Sequence, residues 1–488
     1  MSAAFRSSRP AASRPAASRH VHRCMALLLS TALAACAVGP NYKRPTVTTT
    51  PAFKEAEGWT PAQPADGVAK GAWWSVFNDP VLDGLERKVE VSNQNLIAAE
   101  AAYKEARALV AEDRAALFPT VDLTASAIRS GRGGPPTPGV PNAANEFQAG
   151  LGGTWAPDVW GRIRRTIEGA KASAQASAAD VANAKLTAQS ELAADYFQLR
   201  VTDVEKALFV ETVDEYTRSL KITQNQYSAG VAAKSDVLTA QTQLTNAQAS
   251  LVDLDRTRTQ MEHAIAVLAG EPPAALTLAA DPKWTPPPSP TPIELPSTLL
   301  QRRPDIAAAE RAAANANAQI GVQTAGFFPS LTLTGNYGFA STALNTLFKA
   351  PSSTWSYGAS VAQTVFDAGA TAARVREARA TYNQTVAQYR QTVLTAFQQV
   401  EDELAAARVL QNEEHYRVEA AQESVQAVQI TLNQYKAGQV AYTNVVVAQA
   451  TALSAREALI TLQGQRLAAA VSLIEALGGG WSTAELPK

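Results

Sequence analysis

The sequence predicts a mainly α-helical chain that also contributes four β-strands to a membrane barrel. Two stretches without proline, from Pro157 to Pro272 and from Pro351 to Pro487, are rich in alanine and other helix-forming residues. Around the start of each stretch lie segments of about ten residues in which apolar and small polar residues alternate, as in outer-membrane strands. A motif in the first stretch recurs in the second, so the same elements occur twice along the chain.

The composition excludes several classes of protein. The 488 residues carry 43 lysines and arginines against 44 aspartates and glutamates, whereas a nucleic-acid-binding protein usually has a basic surplus. Two cysteines and four histidines leave little for a metal cluster. The sequence contains no G-x-x-x-x-G-K-S/T loop, and the histidines of the helical stretches lack ligand spacing. We therefore predict neither an enzyme nor a cofactor, and no nucleic acid among the partners.

Residues 1–35 predict a bacterial secretory signal peptide. Basic residues up to Arg23 precede an apolar run that begins at Met25 and is too short to span a membrane. Small residues then lead to Cys36, which predicts a lipoprotein whose first mature residue, Cys36, is acylated. The alternative is ordinary cleavage that leaves a free thiol. Ala37 stands where an inner-membrane retention signal has aspartate, which favours the outer membrane; Met25 is an alternative start.

Each proline-free stretch predicts a long helical hairpin. The segment 225–230 (Asn-Gln-Tyr-Ser-Ala-Gly) matches 433–438 (Asn-Gln-Tyr-Lys-Ala-Gly) with an offset of 208 residues (438 − 230). Gly230 and Gly438 each interrupt a helical pattern once, and glycine supplies the positive φ that follows a helix end. Because the motif recurs, the mature chain is a tandem duplication of about 200 residues. Helices of this length must also lie against other helices along their length.

Four segments alternate with a period of two and predict membrane strands. Their apolar positions begin at Val121, Phe147, Leu331 and Trp355. The pattern alone leaves open a soluble hairpin with one buried face, and the lipoprotein signal favours the membrane. Because lipid forbids open sheet edges and bacterial barrels need about eight strands or more, the strands must close between subunits. Two chains would give eight strands and three would give twelve.

Several motifs occur in a fixed order over the whole mature chain. They are segments 36–45 (CAVGPNYKRP), 73–80 (Trp-Trp, then Phe-Asn-Asp-Pro), 116–119 (ALFP), 158–162 (DVWGR), 302–310 (RRPDI, then Ala-Glu) and 434–438 (QYKAG). In this order they resemble the outer-membrane factor family, the TolC-like channels, and its NodT-type lipoprotein branch, which serves resistance–nodulation–division (RND) efflux pumps. The resemblance implies a homotrimer with a twelve-stranded outer-membrane β-barrel that continues into a long periplasmic α-helical barrel. It also implies a periplasmic adaptor (membrane fusion protein), an inner-membrane RND-type pump and outer-membrane lipid as partners.

This architecture predicts a division of the chain into consecutive segments. They are the signal peptide (1–35), an N-terminal equatorial segment (36–78), a helix of the first repeat (79–117), the first β-hairpin (118–156), the first long helical hairpin (157–270), a proline-rich linker (271–301), a helix of the second repeat (302–328), the second β-hairpin (329–366), the second long helical hairpin (367–477) and a C-terminal tail (478–488).

The tips of the two helical hairpins are the predicted functional site. By the resemblance, they form the periplasmic end of the channel, where the adaptor docks and where the helices close the channel at rest. Family members place acidic residues just beyond the tip, where they favour cations. Asp236 fits this pattern, but Asn444 and Val447 replace the acid in the second hairpin, which puts a strongly cation-selective gate in doubt. Plain turn chemistry is the alternative role, and both roles can hold together. The predicted docking and gate residues are Tyr227, Ser228, Ala229, Gly230, Val231, Asp236, Tyr435, Lys436, Ala437, Gly438, Gln439, Val440 and Asn444.

The remaining motif residues are predicted to have structural roles. The segment Arg303-Pro304-Asp305 predicts a helix start, because proline suits the first turn and aspartate complements the helix dipole. An ion pair from Arg303 to a neighbouring helix is the alternative. Asp158 and Asp367 follow strands and precede helical stretches, which predicts that they are N-caps; Gly161 belongs to the same motif as Asp158.

We predict a passive exit duct of a tripartite efflux pump. Its cargo would be small amphiphilic toxins or drugs, delivered by an inner-membrane transporter through a periplasmic adaptor. The same fold could serve a type I protein secretion system, and nothing in the sequence separates the two cargos. A structural coiled-coil lipoprotein without a pore is an alternative of another class, and the strand pattern speaks against it.

Overall fold

The computed structural model describes residues 37–47, 53–55, 72–131, 133–134, 143–288 and 303–487. They form two compact units. The strand unit combines residues up to 43 with 108–172 and 314–383, and the helix unit combines 44–107 with 173–313 and 384 onward. Cys36 and the predicted signal peptide lie outside the described residues, as do residues 289–302 of the predicted linker.

Seven α-helices account for most of the described chain. They are α1 (Pro80–Ser92), α2 (Gln94–Ala115), α3 (Arg162–Ser228), α4 (Lys234–Leu268), α5 (Pro304–Thr324), α6 (Ala370–Lys436) and α7 (Tyr442–Ala476). The segment 79–117, treated as one helix from sequence, contains two helices that divide at Asn93. The Asn93 side chain accepts a hydrogen bond from the Leu96 N–H (3.0 Å) and donates one to the Leu268 carbonyl (2.8 Å). It therefore caps α2 and joins it to the end of α4.

The duplication extends to every helix of the two hairpins. Helices α3 and α6 each contain 67 residues, and α4 and α7 each contain 35. Each of the four is followed by a glycine with positive φ, and the equivalent glycines are 208 residues apart (438 − 230 and 478 − 270). They are Gly230, Gly270, Gly438 and Gly478, with φ between 72° and 90°. The chain therefore repeats one hairpin design at full length.

Each hairpin carries at least one ion pair between its two helices, and the pairs differ between the repeats. In the first hairpin, Lys206 of α3 pairs with Asp255 of α4. In the second, Glu414 of α6 occupies the position equivalent to Lys206 (206 + 208) and pairs with Arg466 of α7. Arg466 is equivalent to Arg258 and Gln463 to Asp255 (offset 208), so the facing sides of the two hairpins carry different charges.

Four antiparallel strands form one sheet in the order β1-β2-β3-β4. They are β1 (Thr120–Gly131), β2 (Ala143–Trp155), β3 (Ser330–Ser341) and β4 (Ser353–Ala362). The register pairs Leu123 with Leu151, Leu151 with Tyr337, and Tyr337 with Trp355, so the apolar positions of all four strands lie in common rows. The predicted fold class, mainly helical with four strands per chain, is confirmed.

The sheet has one apolar and one polar face, because alternate residues point to opposite sides. The apolar face comprises Val121, Leu123, Ala125, Ala127, Phe147, Ala149, Leu151, Gly153, Trp155, Leu331, Leu333, Gly335, Tyr337, Phe339, Trp355, Tyr357, Ala359 and Val361. The other face carries Asp122, Thr124, Ser126, Gln148, Gly150, Gly152, Thr154, Thr332, Thr334, Asn336, Gly338, Ser356, Gly358 and Ser360. Large apolar side chains such as Leu123 and Tyr357 are exposed, so within the described part of this chain nothing covers the apolar face at these positions.

The core of the helix unit forms where the turn Trp73–Phe77 and α1 pack against α3. The rings of Phe77 and Phe197 meet edge to face with their centroids 4.8 Å apart. The Tyr196 hydroxyl donates to Asp79 (2.6 Å), whose carboxylate also caps α1 by accepting from its first backbone N–H groups. Aromatic packing and a shared cap therefore fix α1 on α3.

Asp203 of α3 lies at the centre of a buried ion-pair cluster. Its carboxylate accepts hydrogen bonds from Arg200 Nη1 (3.1 Å), Arg258 Nε of α4 (2.7 Å) and the backbone N–H of Asp281 (3.1 Å). The two arginines also donate to backbone carbonyls at 278–279. This Asp203 cluster therefore fastens the segment that follows α4 to the first hairpin.

Glu86 of α1 is a buried carboxyl group in the same unit. It is fully buried, and neither carboxylate oxygen has a hydrogen-bond partner among the residues that the structure describes. Burial above all, and then the charges of Glu90 and Asp83, raise the pKa of Glu86 to about 9. The group therefore holds a proton at neutral pH.

We expect Glu86→Gln to flatten the pH dependence of stability. The folded chain retains on Glu86 a proton that the unfolded chain releases above its ordinary pKa of 4.5. This stability is present in full below pH 4.5 and is lost as the pH rises toward 9. Urea unfolding at pH 5 and pH 8 should therefore show the variant gaining at least about 1 kcal/mol over the wild type between the two values. The exposed Glu100→Gln serves as control; equal pH profiles for wild type and Glu86→Gln would contradict the prediction.

Candidate functional site

The two hairpin tips have the same backbone but different surfaces. Five residues connect α3 to α4 and five connect α6 to α7, from 229 to 233 and from 437 to 441. Tyr227 at the first tip is 46% exposed, whereas its equivalent Tyr435 is only 6% exposed. Val231 is also strongly exposed. The first tip therefore exposes a tyrosine that the second tip buries, and it exposes Val231 where the second tip has Gln439.

The two hairpins pack against each other behind their tips. The cluster that joins them draws on all four hairpin helices and comprises Tyr216, Leu220, Ala240, Leu244, Ala247, Tyr435, Tyr442 and Val445. The rings of Tyr435 and Tyr442 lie 5.2 Å apart, and Gln449 of α7 donates to the Ser219 hydroxyl of α3 (2.9 Å). Burial raises the pKa of Tyr442 to about 12, so its hydroxyl keeps its proton. We call these residues the tip cluster; it packs the two hairpins together directly behind the predicted site residues.

Glycine is required at both turns by backbone conformation. The N–H of Val231 bonds to the Gln226 carbonyl (2.8 Å) and that of Gln439 to the Gln434 carbonyl (2.9 Å), which closes each helix with a Schellman turn. Gly230 has φ +75° and Gly438 has φ +72°. A Cβ atom at either position would meet no atom within 4 Å, so conformation alone, and not crowding, selects glycine.

We expect Gly438→Ala to loosen the second tip by about 1–2 kcal/mol, the cost of a side chain in the left-handed region. Hydrogen exchange of the amides from 437 to 441 should become roughly tenfold faster or more, because about 1.4 kcal/mol corresponds to tenfold. Gly84→Ala in α1 is the matched control: it also has open space, but its φ is not in the left-handed region. Unchanged exchange at the tip would contradict the requirement for positive φ.

Asp236 and Asn444 occupy equivalent positions in the first turns of α4 and α7. Their N–H groups donate to the carbonyls of Ala233 and Ala441 at 3.1 Å in both cases. Neither alanine can cap its helix with a side chain. Asp236 is the acidic residue in the first turn of α4, where it complements the helix dipole, and the first turn of α7 has no acid. One acidic group per chain therefore stands just beyond the tips.

The two predicted capping aspartates serve the starts of α3 and α6 from the loops before them. Asp158 accepts from the N–H groups of Ile163 and Arg164, both at 2.9 Å, and pairs with the Arg164 side chain. Asp367 accepts from the N–H of Thr371 (2.7 Å) and from its hydroxyl, and these hydrogen bonds hold the pKa of Asp367 below its usual value. Neither aspartate directly precedes its helix, because Gly161 and Gly369 occupy the positions before α3 and α6. Each carboxylate therefore caps the first turn from a position farther back in the loop.

Arg303 begins α5 and reaches another helix of the helix unit. Pro304 is the first helical residue, and the Asp305 carboxylate receives two hydrogen bonds from the Arg303 guanidinium (3.0 and 2.7 Å). Arg303 also donates to the Ala476 carbonyl at the end of α7 (2.9 Å). The contact with the neighbouring helix is thus a hydrogen bond to a backbone carbonyl.

Some residues of the tip region escaped the sequence analysis. Tyr442, Tyr216 and Val445 are buried in the tip cluster, and none of them belongs to the repeated motif. Tyr442 stands where the first repeat has Lys234 (442 − 208). A comparison of the two repeats position by position could have marked it as the residue that makes the second tip different from the first.

An open sheet with one apolar face, together with two duplicated helical hairpins, defines an outer-membrane channel protein. The chain belongs to the outer membrane efflux protein family, whose model matches residues 86–271 and again 295–479. The toluene efflux pump outer membrane protein TtgC of Pseudomonas putida is 30% identical over 457 residues, covering 92% of this chain and 93% of TtgC. The cation efflux system protein CusC of Escherichia coli is 28% identical, covering 94% of this chain and 98% of CusC.

Solved structures agree with this assignment. The outer-membrane channel OprN superimposes with a TM-score of 0.83 at 30% identity and is covered completely, with 91% of this chain. The predicted family, the fold class and the function as an outer-membrane component of an efflux pump are thereby confirmed.

Proposed function

We propose that three copies of this chain close a twelve-stranded barrel and form the exit duct of a tripartite pump. The observation that carries the proposal is the open four-stranded sheet with its single apolar face. Among the described strands, β1 and β4 each have a partner on one side only. Unpaired backbone groups in lipid cost several kcal/mol each, so these edges must pair with other copies.

The number of copies follows from the width that a duct requires. β4 of one copy can pair with β1 of the next without interrupting the antiparallel order, whatever the number of copies. Two copies would give eight strands, whose interior is only wide enough for side chains or one small ligand. Three copies give twelve strands, and the small polar residues of the second face would then line an open lumen.

The native mass of the protein extracted from outer membranes in detergent tests this proposal. Three chains of at most 51.6 kDa each, together with bound detergent, are expected. Two chains would indicate a closed eight-stranded barrel and contradict the duct. A monomer in the soluble fraction would mean that the sheet never closes. The remaining interpretation would then be a structural coiled-coil lipoprotein without a pore.

The hairpin tips are proposed to dock a periplasmic adaptor and to close the channel at rest. Tyr227, Val231 and Leu238 at the first tip and Val447 near the second are exposed apolar residues, which suits a protein contact. We expect Val231→Glu to abolish complementation of an efflux-deficient strain while the oligomer remains intact. The matched control is Val252→Glu, because Val252 is similarly exposed but lies within α4, away from the tip. Equal complementation by both variants would contradict the proposal that the adaptor docks at this tip.

Small amphiphilic toxins or drugs are the proposed cargo, delivered by an inner-membrane RND-type pump that supplies the energy. TtgC bears the name of a toluene efflux component and CusC that of a cation efflux component. The single acid per chain at the tips, Asp236 without an equivalent in the second hairpin, favours the first kind of cargo. Deletion of the gene should lower the inhibitory concentration of several amphiphiles at least fourfold. Unchanged susceptibility to all of them would leave protein secretion as the remaining function of the duct.

Acylation of Cys36 is proposed to anchor the chain in the outer membrane beside the barrel. Several acyl chains bind a membrane far more durably than one. The mass of the N-terminal tryptic peptide distinguishes an acylated Cys36 from a free thiol.

A further inference from the structure

The residues that follow Cys36 belong to the strand unit and are held in it by hydrogen bonds to their backbone. The N–H of Val38 donates to the Trp160 carbonyl (3.0 Å). The carbonyls of Val38 and Gly39 both accept from Arg165, each at 3.2 Å. The next carbonyl, that of Pro40, accepts from the Asn317 side chain (3.0 Å). Three consecutive carbonyls are therefore satisfied by two side chains.

Arg165 is the centre of this arrangement. Its guanidinium also donates to the Asn41 side chain (2.8 Å) and to Glu168 (2.7 Å), so it holds four acceptors while remaining only 4% exposed. A planar group with donors in fixed directions suits such convergent binding, which a lysine could not reproduce. Burying this charge is tolerable because it is paired and hydrogen-bonded.

Glycines bring the two surfaces together at backbone distance. A Cβ atom on Gly39 would lie 2.4 Å from the Cα of Gly321 in α5, and Gly39 has φ +97°. A Cβ atom on Gly161, which has φ +81°, would lie 2.5 Å from the Cα of Ala37. A Cβ atom on Gly321 would collide with the Arg165 side chain at 2.8 Å. No side chain fits at Gly39 or Gly161 without displacing the segment, and none fits at Gly321 without displacing Arg165.

We propose that residues 37–41 are a latch and that Arg165 thereby positions the acylated end of the chain at the start of α3. The residues that bind the latch are Trp160, Gly161, Arg165, Asn317 and Gly321. Two sequence motifs, 36–45 and 158–162, are then the two halves of one contact. The acyl part of this inference rests on the lipidation of Cys36 proposed above, whereas the latch does not. A lipid on Cys36 would be joined directly to the first residue of the latch, because Ala37 follows Cys36 in the chain.

Limited trypsin digestion of the detergent-extracted oligomer tests the latch. Lys43 lies two residues beyond it and is exposed, but a protease needs the surrounding segment to detach. Cleavage after Lys43 should be at least tenfold faster in Arg165→Ala than in the wild type, measured against cleavage after Lys436 in the second tip. Arg162→Ala, one turn earlier on the exposed side of α3, should cleave like the wild type.

Two further variants distinguish release of the latch from a general loosening of the oligomer. Gly39→Val disrupts the contact from the segment side and leaves α3 unchanged, so it should cleave as fast as Arg165→Ala while the native mass of the oligomer stays the same. Cleavage that rises only together with loss of the oligomer, or equal rates in Arg165→Ala and Arg162→Ala, would overturn the proposal. Cys36→Ala should keep the slow cleavage of the wild type. An unacylated peptide released from the wild-type chain would refute lipidation and leave the latch intact.

Discussion

Replacing Asp203 with alanine is expected to destabilise the folded chain by about 3–5 kcal/mol, because it leaves the buried guanidinium of Arg200 without a counter-charge and leaves Arg258 with Glu262 alone. The Asp203 side chain is 1% exposed, and that of its partner Arg200 is 6% exposed. Arg258 and the N–H of Asp281 would lose the same acceptor. Both the first hairpin and the segment that follows α4 should loosen as a result.

The chain offers a matched control for this prediction. Asp253 and Arg256 have the same three-residue spacing as Arg200 and Asp203, but their side chains are 63% and 59% exposed. Exposed pairs contribute about 0–1 kcal/mol, so Asp253→Ala should be almost neutral. Urea unfolding of the purified oligomer, followed by helix content, measures both variants. Equal midpoints for Asp203→Ala and Asp253→Ala would show that burial does not govern the strength of this pair.

Replacing Ala125 with arginine is expected to prevent stable insertion into the outer membrane. Ala125 lies in the middle of β1, in the apolar row that continues through Ala149 and Phe339. An arginine on the lipid side of a barrel costs about 2–4 kcal/mol near the bilayer midplane. In an oligomer of three chains the cost would apply three times to a single assembly, so the oligomer should disappear from outer membranes.

The neighbouring residue provides the control for this second prediction. Ser126 lies at the same depth on the opposite face, paired with Gln148. Ser126→Arg would point into the polar interior, where charge is tolerated, and should assemble normally. If Ser126→Arg were excluded from the membrane while Ala125→Arg inserted, the two faces of the sheet would have to be exchanged.

The sequence alone was sufficient for the elements that depend on local patterns. Alternation located the four strands, and the absence of proline located the hairpins, because both depend on residues close together in the chain. The glycines at 230 and 438 were also readable, since positive φ restricts a position to few residue types. Even the break at Asn93 had a local sign, because asparagine is a common capping residue.

Contacts between distant segments were not readable in this way. Nothing near Asp203 in the sequence indicates that Arg258 and the N–H of Asp281 converge on it. Arg165 is one of several arginines after Gly161, and only the fold shows which of them meets residues 38–41. The different burial of Tyr227 and Tyr435 likewise arises from the packing of one hairpin on the other, which two nearly identical motifs do not indicate.

The different ion pairs of the two hairpins bear on assembly from several identical chains. Two hairpins with equal helix lengths could exchange arms, and exchange of equivalent elements is a known route to wrongly associated oligomers. If α7 took the place of α4, Gln463 would replace Asp255 and Lys206 would lose its partner. If α4 took the place of α7, Asp255 would lie beside Glu414. Either exchange removes an ion pair or brings like charges together, so the two hairpins are alike in backbone but are not interchangeable.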